Sequence, residues 1–139
     1  MEQHIGFIMN NNEFSIPILK VQEIINLPQI TKMPQSPHYI EGVANLRGRI
    51  IPIVNLKKLA GLNGGDVAGE KVIVVTSGRM IFGVLVDGIT GVVNIEESNI
   101  APPSDFNAVN IVSGVAKVEE KLVVMLDTKK LVPVEDLSL

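Results

Sequence analysis

The side chains in this sequence that could do chemistry are two histidines, a few acidic pairs and a scatter of lysines and arginines. His4 and His38 lie far apart in the chain, without the short spacing at which two imidazoles share a metal. His38 follows Ser36-Pro37 and reads as a loop histidine beside a turn. The pairs Glu96-Glu97 and Glu119-Glu120 supply the residue types of general acid and base. Neighbours in an extended chain point to opposite faces, however, so neither pair converges on one substrate atom. They are expected to be solvated turn charges, and Asp87-Gly88 reads as a hairpin turn. The sequence holds no Cys, which excludes disulfides, thiol nucleophiles, iron–sulfur clusters and thiolate zinc sites, and fits a reducing cytoplasm. It has no phosphate-binding glycine loop, dinucleotide fingerprint or nucleophile elbow. The expectation is a protein that is not an enzyme and uses neither cofactor nor metal.

Nucleic acid is also a poor fit. The net charge is −3, and the basic residues are dispersed as Arg47 with Arg49, Lys57 with Lys58 and Lys129 with Lys130, forming no stripe that could track phosphates. The aromatics are Phe7, Phe14, Tyr39, Phe82 and Phe106, and most sit inside apolar runs that a core would claim. The longest such run, Met80 to Val86, is far shorter than a bilayer-spanning helix, and Met1 to Asn10 lacks the basic and apolar regions of a secretory signal. A soluble intracellular protein is expected. With 46% hydrophobic and 19% charged residues in 139, the chain can offset its conformational entropy as one folded domain.

The elements that must position these side chains are mostly strands. Short runs with period-2 alternation or β-branched residues occur at Ile5 to Met9, Phe14 to Leu19, Ile50 to Val54, Val72 to Thr76, Ile81 to Val86 and Leu122 to Leu126. Between them stand turn signals: Asn10-Asn11-Asn12, Arg47-Gly48, Ser77-Gly78-Arg79 and Asp87-Gly88. At an offset of 68 positions Ile5, Phe7, Phe14, Ile16 and Ile18 fall on Ile73, Val75, Phe82, Val84 and Val86. At an offset of 72, Gly42-Val43-Ala44 falls on Gly114-Val115-Ala116, and Lys57-Lys58-Leu59 on Lys129-Lys130-Leu131. This pattern predicts an internal duplication, with units of about 4–60 and 72–131 joined by the Gly-rich connector 61–71 in a single domain. Each unit reads as strand, turn, strand, an extended connection with Pro, a hairpin and about one helical turn capped by Asn55 or Asp127. Five strands per unit suggest a small barrel, and two barrels of that size should share an apolar seam.

Scaffold positions should match between copies, whereas binding positions are free to diverge. Lys20 and Glu23 in the first unit correspond to Gly88 and Gly91 in the second, and Arg47-Gly48 corresponds to Glu119-Glu120. Glu23 and Arg47 are therefore the candidates for function that the residues themselves single out.

Three segments carry a likeness to a known family. They are Ile18-Leu19-Lys20-Val21-Gln22-Glu23-Ile24, then Ile40-Glu41-Gly42-Val43-Ala44-Asn45-Leu46-Arg47-Gly48 with Ile51-Pro52-Ile53-Val54, and then Phe82-Gly83-Val84-Leu85-Val86-Asp87-Gly88. Together, and in this order, they closely resemble the CheW coupling proteins of bacterial chemotaxis over nearly the whole chain. The resemblance implies an all-β fold of two intertwined five-stranded SH3-like barrels with short helical turns. It implies two partners: the cytoplasmic hairpin tip of a chemoreceptor, and the regulatory domain of the histidine kinase CheA. It further implies a receptor-binding groove between the barrels at Ile18, Val21, Glu23, Val72 and Val92, with Arg47 near its edge. Phe106, in a loop longer than its counterpart after Pro34, is a candidate kinase contact. The protein would then be cytoplasmic and recruited to membrane-associated receptor clusters. Glu41, Asn55 and Ala101 depart from the Lys, Asp and Arg familiar at those positions. The alternatives are a CheW-like adaptor of another chemosensory pathway, such as one governing surface motility, and a small β-barrel enzyme or nucleic-acid binder.

Overall fold

The structure, a computed structural model, describes residues 1–66, 69–106 and 110–131, and for residues 105 and 106 the backbone alone. The strands are β1 (Glu2–Met9), β2 (Asn12–Pro17), β3 (Val21–Asn26), β4 (Ile40–Leu46), β5 (Arg49–Asn55), β6 (Lys71–Ser77), β7 (Met80–Val86), β8 (Gly88–Ile95), β9 (Ile100–Ala101), β10 (Val112–Val118) and β11 (Lys121–Leu126). A helix, α1 (Leu56–Ala60), follows β5, and a 3₁₀ turn, Thr128–Lys130, follows β11. Both start as expected: the Asn55 side chain accepts from the Lys58 amide at 3.1 Å, and the Asp127 side chain from the Lys129 amide at 3.0 Å.

The strands form two sheets, ordered β8-β1-β2-β11-β10-β9 and β3-β6-β7-β5-β4. Shifting the second order by 68 or 72 positions reproduces the first, apart from the two-residue β9. The sheets nevertheless do not coincide with the two stretches of sequence. The first sheet places β1 and β2 between β8 and β11, and the second places β6 and β7 between β3 and β5. The units are thus intertwined as the resemblance implies: each sheet joins the first two strands of one unit to the later strands of the other, so that neither unit makes a barrel by itself. The physical cause lies in the links. The 3₁₀ turn Ile18–Lys20 carries the chain from β2 in the first sheet to β3 in the second, and Asp87 carries it from β7 back to β8. Asp87-Gly88 is therefore a crossover between sheets and not a hairpin turn. Asp87 is held there by its amide donating to the Ile8 carbonyl at 3.0 Å, and by its carboxylate accepting from the Asn10 amide at 3.1 Å and from Lys57 at 2.9 Å.

Asn10 and Asn11 at φ 51° and 67°, and Arg47 and Gly48 at 49° and 84°, form true hairpin turns. Such left-handed pairs match the twist of the flanking strands.

Three apolar clusters result among the described residues. The largest lies between the sheets, with Ile5, Phe7, Met9 and Ile16 from one stretch of chain meeting Ile73, Val75, Phe82, Val84 and Val86 from the other. The second sheet encloses Ala44, Ile51, Ile53, Val72, Val74 and Leu85, and the first encloses Ile95, Ala116 and Met125. The seam expected from the duplication is the main core.

Gly42 and Gly114, matched in the sequence, occupy matching bulges where β4 and β10 slip against β5 and β11. Each admits the extended connection that crosses over its strand: Thr31 exchanges backbone hydrogen bonds with Val43 at 2.9 and 2.8 Å, and Ala101 pairs with Val115. A Cβ at Gly42 would lie 2.2 Å from the Thr31 carbonyl oxygen, whereas one at Gly114 would lie 3.1 Å from that of Ala101. We expect Gly42→Ala to cost about 3 kcal/mol in chemical denaturation and Gly114→Ala clearly less, since only the first forces backbone apart. Equal losses would show that this close approach is not what requires glycine.

Candidate functional site

The strand β3 is an edge of the second sheet, and its alternation gives it two chemically distinct faces. Ile24 pairs with Ile73, a member of the seam cluster, and so shares its face; Glu23 and Ile25 pair with Val74 and Val72 and face the interior of the second sheet. Ile18 and Val21 are half-buried against the seam cluster. Val92 pairs with Ile5, which pairs with Ile16, so it too lies on the seam side, at 56% exposure. Ile18, Val21 and Val92 thus border the apolar seam where it reaches solvent.

Glu23 and Arg47 come together. The Arg47 guanidinium donates to the Glu23 carboxylate, joining the edge strand β3 to the β4–β5 turn. The turn is preset for this: the Asn45 side chain accepts from the Gly48 amide at 2.8 Å, and Arg47 adopts the left-handed conformation. Arg47 is 68% exposed and Glu23 23%. The pair lies on the face of β3 opposite Val21 and Ile24, so charge and apolar surface flank one edge strand without mixing.

Val72 must be corrected as a groove residue. It has no exposed surface and packs among Ile53, Val74 and Leu85, because β6 lies second in its sheet and Val72 points inward. For Phe106 the structure gives the backbone, at the end of a 3₁₀ turn Pro103–Phe106; its side chain lies outside the described residues. Ile24, 38% exposed, belongs with the apolar border but was not singled out from the sequence. The signal was there: the 68-residue offset places Ile24 on Val92.

Two of the departures noted in the sequence are neighbours. The Asn55 side-chain amide donates to Glu41 at 2.6 Å, and Lys58 lies 3.4 Å from the same carboxylate. Asn55 and Glu41 thus pair directly, and Lys58 supplies a positive charge beside the carboxylate. His38 is exposed and meets Tyr39 edge-on at 5.9 Å. His4, by contrast, is buried between the Ser15 hydroxyl at 2.9 Å and the Glu2 carboxylate at 2.7 Å. No cluster of three or more metal-ligating side chains occurs among the described residues. No helix of the described residues is long and apolar enough to cross a membrane.

Comparison with known proteins bears on this geometry. The chain is 32% identical to the chemotaxis protein CheW of Klebsiella aerogenes, over 99% of this chain and 86% of that one. It is 33% identical to the chemotaxis protein CheW of Helicobacter pylori, over 93% and 80%. The crystal structure of the scaffolding protein TtCheW from Thermoanaerobacter tengcongensis superposes with a TM-score of 0.83 at 30% identity, covering 91% of this chain and 88% of that one. The CheW-like domain model matches residues 3–136. Sequence and superposition agree, and the chain belongs to the CheW-like domain family.

Proposed function

We propose that this chain is a non-catalytic adaptor of bacterial chemotaxis, coupling the cytoplasmic hairpin tip of a chemoreceptor to the regulatory domain of the histidine kinase CheA. The observation that carries the receptor half is the β3 edge, with Ile18, Val21 and Ile24 on its seam side and the Glu23–Arg47 pair behind it. Apolar residues at such an edge supply affinity by excluding water, and the adjoining charges select the register and the partner. Val92 extends the apolar border on the first sheet. The chain is read as one domain built from units of about 4–60 and 72–131, working in the cytoplasm and recruited to membrane-associated receptor clusters.

Co-sedimentation with receptor-containing membranes tests the reading. The chain should pellet with the receptor and carry CheA into the pellet; a pellet that gains the chain but no more kinase than without it would overturn the coupling role.

The kinase contact is assigned to Phe106. We expect Phe106→Ala to weaken CheA association by about tenfold while leaving thermal stability little changed, as for an aromatic anchor at an interface. A large fall in Tm with unchanged kinase affinity would instead make Phe106 a cover for the fold.

A further inference from the structure

The interiors of the two sheets are not alike. In the second sheet, Val72, Val74 and Ile81 belong to one apolar cluster, and a Cβ on Gly83 would lie 2.6 Å from Val72 and 2.7 Å from Ile53. Under the 68-residue shift these four positions become His4, Gly6, Glu13 and Ser15 in the first sheet. There the interior is polar: His4 bonds Ser15, and the Thr90 hydroxyl donates to the Glu13 carboxylate at 2.6 Å. The mouth differs as well. Gly91 stands where the other copy has Glu23, and a Cβ on it would meet nothing within 4 Å; Glu119 stands where the other copy has Arg47. In the second sheet the Glu23–Arg47 pair spans the corresponding mouth and the remaining hollow, of about 370 Å³, lies to one side at Pro28, Thr31 and Asn45, whereas the first sheet keeps a cleft of about 450 Å³ that Glu13 and Thr90 line. That volume lies within the range of ligand sites.

Two strand edges border the cleft. Among the described residues β8 pairs with β1 alone. On its outer side β10 pairs with β9 only at Val115 and Ala116, which leaves Lys117 and Val118 beyond the ladder. Val92, Val93, Val118 and Val123 give the lining its apolar part. Glu13 also lines it, and no cation of the described residues forms an ion pair with it.

We propose that this cleft binds an extended peptide segment, added as a strand along β8, with a basic side chain directed inward to Glu13. Unpaired strand edges offer rows of backbone donors and acceptors that only another extended backbone can match. Alternate side chains of an added strand point inward, where the valines take apolar groups. The Glu13 carboxylate, with one hydroxyl donor, keeps acceptor capacity that a lysine or arginine would fill by a charge-assisted hydrogen bond. The site lies away from the β3 edge assigned to the receptor and meets that border only at Val92.

The test is titration of the ¹⁵N-labelled chain with the blocked pentapeptide acetyl-Val-Ser-Lys-Ser-Val-amide, whose alternation puts both valines and the lysine on one face. The amides of Thr90, Gly91, Lys117 and Val118 should shift and gain protection from hydrogen exchange. Replacing the lysine of the peptide by glutamate should weaken binding by about tenfold, and Glu13→Gln should remove most of that discrimination, as expected for loss of one charge-assisted contact. A peptide N-methylated along one edge should not bind. Unmoved β8 and β10 amides at millimolar peptide, equal binding by the N-methylated peptide, or the same shifts from free lysine alone would each overturn the proposal. If Glu13→Gln failed to fold, the N-methyl comparison on the unaltered chain would decide.

Discussion

A chain cut in the connector at Gly64 should yield two fragments that do not fold separately. Fragment 1–64 would keep β1 to β5 but lose β8 from beside β1, β11 from beside β2, β6 from beside β3 and β7 from beside β5. Its half of the seam, including the fully buried Phe7, Met9 and Ile16, would face water. Each such side chain contributes about 2 kcal/mol by burial, so a handful exceeds the net stability of a typical domain. The complementary fragment loses as much, since Phe82, Val84 and Ile73 are its side of the same cluster. We expect poor amide dispersion or aggregation from either fragment, and a dispersed native-like spectrum on mixing them. A sharp, dispersed spectrum from one fragment alone would contradict the shared core.

The second large effect is on recognition. Glu23→Lys should reduce affinity for receptor-tip fragments by about a hundredfold, through loss of one charge and like-charge repulsion from Arg47 beside it. Stability should change by less than about 1 kcal/mol, because an ion pair with one exposed partner contributes little to folding. Titration against receptor-tip fragments and against the kinase regulatory domain separates the partners, and the second should bind nearly as before. Arg47→Glu places two carboxylates together and should impair receptor binding in the same direction; the double exchange Glu23→Arg with Arg47→Glu should restore the fold contact without restoring affinity. Normal receptor affinity in a folded Glu23→Lys chain would remove the β3 edge from consideration as the receptor site.

Much of this site was legible from residue type because the chain contains its own comparison. Positions matched between copies, such as Gly42 with Gly114 and Asn55 with Asp127, hold equivalent bulges and caps, for local geometry is set by local chemistry. Glu23 and Arg47 differ sharply from Gly91 and Glu119, and the structure joins them in one ion pair. Val72 shows the limit: an apolar residue in a strand reads alike whether its strand is an edge or an interior one, and only the order β3-β6-β7 makes it interior.

By itself the sequence determined the runs of β1, β2, β5, β6, β7 and β11, though the run from Phe14 ends at Pro17 and Ile18-Leu19 turn as 3₁₀, together with the true hairpin turns at Asn10-Asn11 and Arg47-Gly48, the caps and the need for a common apolar core, since each follows from side-chain period and backbone preference over a few residues. The tertiary structure alone decided which strand lies beside which. Asp87-Gly88 has the composition of a hairpin turn, yet β8 leaves β7 for β1, and β3 leaves β2 for β6. The reason is that the free energy of pairing depends on which apolar faces meet across the whole molecule: exchanging strands lets Phe7, Ile16, Ile73 and Phe82 close one seam that neither stretch of chain could bury alone.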